Sequence, residues 1–375
     1  MDPVRLTNNN LSSANTTSST YQDFCTLTFT PDASSTYLLL AYTLINNSTT
    51  TAAATKLRLQ DDTGAATLSE TLCAMKVATD RMCFATATLY TSSGSPSSTS
   101  FKTQYAAGTG TTTAYASGIT ALKLGSNDQS NSSTSESTTT STSQQDKVTI
   151  TFTPGSTGDY LLIMGCDVSH TSTTSSNGVN TVIDVDGTDY CLTQTAMDGA
   201  DDYKSIMQFV KVNLDNTSHT IKLQYANAAA SGTAKIKNAY LIALRWSDFN
   251  NAYYSEQRTK QTGGAAKDFR WIDALVATHT LSTAGNHIFL GIGNMDYSNV
   301  SRQGWGRIVD NEILTETMTN EEPANTANQM PFFTFQRITA LNEINNFSLN
   351  QTSDATSTNT SGADDIEIIT LQTGV

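Results

Sequence analysis

Thr151-Phe152-Thr153-Pro154, a polar turn, then Tyr160-Leu161-Leu162-Ile163 is the stretch that decides the fold. Leading into it, Val148, Ile150 and Phe152 alternate with Thr149, Thr151 and Thr153. That period of two marks a strand with one buried face. Tyr160 to Met164 is an unbroken apolar run, as for a central strand buried on both faces. The same wording occurs earlier as Thr28-Phe29-Thr30-Pro31, a turn, and Tyr37-Leu38-Leu39-Leu40. Both pieces are displaced by 123 positions, from 28 to 151 and from 37 to 160. A fixed displacement over separated segments is the signature of an internal repeat.

Working outward, the repeat persists. Phe101-Lys102-Thr103-Gln104-Tyr105-Ala106 matches Ile221-Lys222-Leu223-Gln224-Tyr225-Ala226, and Ile119 to Leu124 matches Leu241 to Trp246. A third, more diverged copy starts at Thr278-His279-Thr280-Leu281 and continues through Gly285 to Leu290. Phe347-Ser348-Leu349-Asn350 follows, and Ile366 to Leu371 closes it. Val182 to Val185, Asp186-Gly187, and Thr188 to Leu192 read as a hairpin around a type I′ turn. Arg307 to Leu314 repeats that hairpin in copy three. Each copy holds about eight strands in ~100 residues, and no segment has convincing helical periodicity. The expected fold is all-β, with three tandem antiparallel β-sandwich domains of jelly-roll type.

The expected organisation is an N-terminal arm at 1–22, domain one at 23–124, and a Ser/Thr-rich linker at 125–145. Domain two at 146–246, an aromatic-bearing linker at 247–273 and domain three at 274–375 follow. The first linker has no apolar anchor, so an extended, mobile chain is expected. The second carries Phe249, Tyr253, Tyr254, Phe269 and Trp271, which either dock on a neighbour or add a first strand to domain three.

Charged residues are only 15% of the chain, while 38% is hydrophobic and the net charge is −13. The apolar content argues against disorder. No basic stripe could follow a phosphate backbone or an anionic bilayer, so neither nucleic acid nor membrane insertion is expected. The N-terminus shows no apolar core of a secretory signal, and no run is long enough for a membrane helix. Cys25, Cys73, Cys83, Cys166 and Cys191 are odd in number and lack paired spacing, so buried free thiols are expected.

Taken together, the Thr-Phe-Thr-Pro and Tyr-Leu-Leu-Ile runs, Val185-Asp186-Gly187-Thr188, Ile221 to Tyr225 and Leu241 to Leu244 resemble the jelly-roll modules of tailed-phage virion proteins. Head fibres, capsid decoration proteins and tail-associated fibres carry such modules, and their topology is akin to tumour-necrosis-factor and complement-C1q heads. The resemblance implies self-association, with a trimer as the typical state. Copy three departs from the pattern: it lacks the Pro, and His287 stands in place of the Tyr.

Chemistry-bearing constellations are scarce. His170, His219, His279 and His287 show no metal-ligand spacing, and His279 and His287 occupy strand positions held by Phe152 and Tyr160 in copy two. Gly291-Ile292-Gly293 begins a dinucleotide-like motif, but Asp296 stands where its third glycine belongs. Asp184, Asp186 and Asp189 resemble the start of a calcium loop without its final Glu; the plainer reading is a turn with Asp184 and Asp189 facing solvent. Asp198, Asp201 and Asp202, and the pair Asp364 and Asp365, read as solvated loop tips. Tyr21, Tyr42, Tyr90, Tyr115, Tyr203 and Trp305 could stack on sugars, and Trp305 reads as part of an exposed loop; core packing is the commoner fate of any one ring.

The expected role is a non-enzymatic structural protein of a virus particle, with no cofactor, no metal and no catalytic residue. Its partners would be capsid, portal or tail proteins and copies of itself. The expected anchor is the N-terminal arm, ordered on a partner, with the diverged third domain as the alternative. The alternative is a carbohydrate-binding attachment module that takes a host surface glycan. A polysaccharide-degrading enzyme ranks third.

Overall fold

The computed structural model describes residues 5–249 apart from short segments at 52–53, 74–77, 79–80, 173–176, 198–199, 201 and 230, and, from 252 to 372, the strands and a few of their side chains. Copy one comprises β1 (Arg5–Asn10), β2 (Ala14–Thr16), β3 (Gln22–Phe29), β4 (Thr36–Asn47), β5 (Thr55–Asp61), β6 (Ala66–Cys73), β7 (Met82–Thr91), β8 (Thr99–Ala107) and β9 (Thr112–Lys123). Copy two comprises β10 (Gln129–Ser133), β11 (Ser137–Thr139), β12 (Gln145–Phe152), β13 (Gly158–His170), β14 (Val179–Val185), β15 (Thr188–Thr195), β16 (Tyr203–Leu214), β17 (His219–Asn227) and β18 (Ala234–Arg245). A single turn of 3-10 helix (Trp246–Asp248) leads to β19 (Ala252–Gln257), β20 (Gln261–Gly263), β21 (Ile272–Thr280), β22 (Gly285–Tyr297), β23 (Gly304–Asp310), β24 (Ile313–Glu321), β25 (Met330–Ala340), β26 (Ile344–Ser353) and β27 (Ser361–Gln372).

All pairings are antiparallel, and one strand order occurs three times. In copy one a sheet β1-β9-β4-β7, with β2 also on β9, faces a sheet β3-β8-β5-β6. Copy two repeats it as β10-β18-β13-β16 and β12-β17-β14-β15, and copy three as β19-β27-β22-β25 and β21-β26-β23-β24. Apart from the β5–β6 hairpin, the broken strand β1–β2 and their counterparts, each connection within a copy crosses from one sheet to the other, which is jelly-roll winding.

The segments 1–22 and 125–145 differ from the arm and linker that composition suggested. Residues 5–16 pair with β9, Asn8 opposite Ile119, and residues 129–139 pair with β18, Asn131 opposite Leu241. They are the first strand of each copy, broken in the middle. The repeat extends into them atom by atom. Asn8 Nδ2 donates to the Thr26 carbonyl at 2.6 Å, and Asn131 Nδ2 to the Thr149 carbonyl at 2.8 Å. Thr16 Oγ1 accepts from Ser18 N at 3.0 Å, and Thr139 Oγ1 from Ser141 N at 3.0 Å. These edge strands hold by ladder bonds and side-chain amides, so they need no apolar alternation. In the segment 247–273, β19 and β20 pair with β27 as the first strand of copy three, and Phe249 is buried.

Long apolar strands serve two cores at once. On β4, Leu39 and Ala41 point into the first sandwich, packed with Phe29, Leu59 and Phe101. On β13, Leu162 and Met164 point into the second, with Val210, Ile221 and Leu241. The residues between them point the other way. Leu38, Leu40 and Tyr42 of copy one meet Leu161, Ile163, Met207 and Phe209 of copy two, and Leu290, Ile292 and Ile369 of copy three, in one shared cluster. The sheets close a ring around it: β7 lies against β13 and β16, β16 against β22 and β25, and β25 against β4 and β7. Gly165 marks a close crossing of copies one and two, since a Cβ there would sit 3.0 Å from the Ala87 methyl and 3.2 Å from its backbone nitrogen. The seam between copies one and two also carries polar bonds. Thr88 Oγ1 donates to the Tyr240 hydroxyl at 2.9 Å, and Asn238 Nδ2 donates to the buried Asp167 at 2.8 Å and to the Glu70 carbonyl at 3.3 Å.

Candidate functional site

The acidic hairpin of copy two folds as a turn. Asp186 and Gly187 both have positive φ, 52° and 87°, as a type I′ turn requires. Asp186 is committed locally: one carboxylate oxygen accepts from Thr220 N at 2.7 Å and the other lies 2.6 Å from His219 Nδ1. That contact raises the His219 pKa, and the Thr220 N–H together with His219 lowers that of Asp186. Asp189 is exposed, but Asp184 is only 8% exposed, so the two do not both face solvent. Among the described residues no group of three or more His, Cys, Asp or Glu could hold a metal.

Other titratable groups are dispersed. Asp202 is buried instead of solvated, Asp198 and Asp201 lie outside the described residues, and Asp364 and Asp365 sit within β27 instead of at a loop tip. Burial raises the pKa of Asp167, opposed by hydrogen bonds from Ser205 and Asn238. His170 is buried, with Nε2 3.2 Å from Asn227 Oδ1. His279 is buried and stacked on Tyr253 with ring centroids 5.4 Å apart, and its Nδ1 is 2.7 Å from Thr370 Oγ1. Burial pulls its pKa down to about 4. The His287 side chain and those of the Gly291–Asp296 stretch beyond Gly293 lie outside the described residues. All five cysteines are buried and none is in a disulfide, and burial pushes the Cys25 thiol up to about 12.

Most of the six rings are occupied by the protein itself. The Arg58 guanidinium lies over Tyr21 at 4.1 Å, Arg81 over Tyr115 at 4.0 Å, and Lys237 Nζ over Tyr203 at 3.9 Å. A cation on a ring face removes that face from sugar stacking. Tyr42 is fully buried in the shared core. Trp305 belongs to strand β23, opposite Asn320 and Thr352, and not to a loop; its side chain lies outside the described ones. Tyr90 remains. It packs edge-on against Phe101 at 4.9 Å and lines a cavity of about 290 Å3 at one end of copy one.

That cavity is framed by the β5–β6 turn and the β7–β8 loop. Asp61, Gly64, Tyr90, Ser93, Ser95 and Ser97 contribute to its wall, and none of its lining residues is cationic. No repeat in the sequence singles out Asp61: it pairs with Phe101 as Val185 pairs with Ile221, so copy two has a valine at the equivalent place.

No family model matches the chain, and no curated protein matches it. Several solved structures are distantly similar to it. The triple jelly roll protein of an archaeal virus turret is similar over 99% of this chain and 91% of that one, at 10% identity and TM-score 0.23. A protein in the atomic structure of Sulfolobus Turreted Icosahedral Virus is similar over 94% and 84%, at 10% identity and TM-score 0.23. PNGF-II is similar over 59% of each chain, at 8% identity and TM-score 0.31.

Proposed function

We propose that the chain is a non-enzymatic structural component of a virus particle, displayed on its surface as a capsid decoration or fibre-type head. In this reading copy three closes as a third sandwich, and the three copies form a pseudo-threefold head within one chain. One observation carries it: the outward faces of β4, β13 and β22 are apolar and buried against each other in a single cluster. In this reading the self-association implied by the phage-type resemblance takes place between copies inside one chain. A head so assembled presents Ser-, Thr- and Asn-rich edges to its surroundings, suited to capsid, portal or tail partners through hydrogen bonds with little salt dependence. The arm-anchor expectation is withdrawn, because residues 5–16 are spent on pairing with β9. Mass spectrometry of density-purified particles, with immunogold labelling, tests the reading. Labelled particles at fixed copy number are expected, and absence of the chain from particles carrying its coding sequence would reject it.

A second reading, attachment to a surface glycan, is favoured by the polar cavity beside Tyr90. Binding of intact particles or of the purified chain to a glycan array tests it.

A further inference from the structure

We propose that the cavity at the end of copy one binds a single sugar ring, with Asp61 as the carboxylate that accepts its hydroxyls and Tyr90 as the apolar wall. The inference deepens the glycan reading and is independent of the particle-coat reading. Asp61 is only 8% exposed, yet it has no cationic partner among the described residues. One of its oxygens, Oδ1, accepts from Gly64 N at 2.9 Å. The other, Oδ2, accepts no hydrogen bond from the described residues. Oδ2 is open to the cavity, so a sugar hydroxyl that displaces the water reaching it can donate to it. Gly64 keeps that oxygen open: any Cβ at this position would sit 2.6 Å from it.

Charge and lining select the ligand class. The nearby cation Lys102 is already shared between Asp23 at 2.8 Å and Asp62 at 3.0 Å, so nothing in the wall would hold an anion. A divalent cation would need more than one carboxylate. Ser93, Ser95 and Ser97 offer hydroxyls that both donate and accept, which matches a polyol. Among the described residues no cation lies over the Tyr90 ring, unlike Tyr21, Tyr115 and Tyr203. The volume of about 290 Å3 is at the small end of ligand sites and suits one ring of a glycan.

Of the two copies whose side chains are described at this end, copy one alone has the site. There the β7–β8 loop runs over 92–98, whereas the corresponding β16–β17 loop of copy two spans only 215–218. In copy two, Asp186 reaches across to His219 and Thr220 and closes the same end. One chain should therefore bind one sugar.

Saturation-transfer NMR on the intact chain tests this with the methyl glycosides of galactose, glucose, mannose and N-acetylglucosamine, followed by calorimetry on any that respond. At least one glycoside should bind with one site per chain. Asp61→Asn keeps the acceptor for Gly64 N and should weaken binding tenfold or more. Gly64→Ala and Ser97→Trp should abolish it, and Ser97 is exposed, so that variant should melt like the parent. The proposal is overturned by no transfer from any glycoside, by binding that all three substitutions leave intact, or by calcium binding that Asp61→Asn removes. None of those outcomes bears on whether the chain is found in particles.

Discussion

Leu161 and Leu162 are neighbours in the chain and belong to different cores. Leu162 faces the second sandwich, so Leu162→Ala should cost about 2–5 kcal/mol through lost burial and a cavity. Leu161→Ala should cost a similar amount and also loosen the cluster shared between copies. Urea unfolding followed by tryptophan fluorescence and circular dichroism separates the two: one displaced transition for Leu162→Ala, and transitions that no longer coincide for Leu161→Ala. His279 sets a pH dependence of definite sign. Its pKa is about 4 in the fold and about 6.5 in an unfolded chain. Protonation therefore favours unfolding. The stability of the neutral ring is fully present above about pH 6.5 and is lost as pH falls toward 4, by on the order of 3 kcal/mol in all. His279→Phe, which installs the residue type of Phe29 and Phe152, should flatten the melting temperature across that window. An unchanged acid dependence in His279→Phe would place its origin in another group.

At the scale of elements, β1, β2, β10 and β11 carry the clearest consequence. Because residues 5–16 pair along β9, a chain beginning at residue 17 should lose an edge strand of copy one and melt lower, instead of leaving three intact folds. For the same reason, residues 129–139 should resist limited proteolysis; a dominant early cut there would contradict the pairing with β18. Composition hid these strands for a physical reason. Asn8, Asn131 and their Ser/Thr neighbours show no alternation, because edge strands are held by the ladder and by amide-to-carbonyl bonds with little burial. The inner strands were legible because Phe29, Tyr37 and Tyr160 are buried, and Phe152 partly so, in register with the pleat. The Asp186-Gly187 turn was legible from its residue types, while the cavity around Asp61 was not. It depends on a loop length and on the space beside Gly64, and neither leaves a motif.

For the whole molecule, the central question is whether three copies in one chain replace three chains. A continuous apolar run such as Tyr160 to Met164 says that both faces are covered, and it does not say by what. The structure supplies the cover from the other two copies. A head-to-tail contact repeated around a ring consumes its own complementary surface when it closes. Here β7, β16 and β25 take part in the seams that link the copies, and among the described residues the apolar faces of β4 and β13 are matched in this way. The described residues show only Leu11 and Leu192 as large exposed apolar side chains, 42% and 50% exposed and on different copies, which is too little for a strong self-contact. The isolated chain should thus sediment as a 40.2 kDa monomer at micromolar concentration. Gly165→Val provides the counter-test. Its side chain must displace Ala87, whose methyl and backbone nitrogen lie within 3.2 Å of the new Cβ, and so push copy one from copy two. The freed faces of β7 and β13 should then seek partners in other chains, giving concentration-dependent association that the parent lacks. A parent that sediments as a stable trimer, or a Gly165→Val chain that stays monomeric with unchanged melting, would mean that the shared cluster does not hold the three copies together.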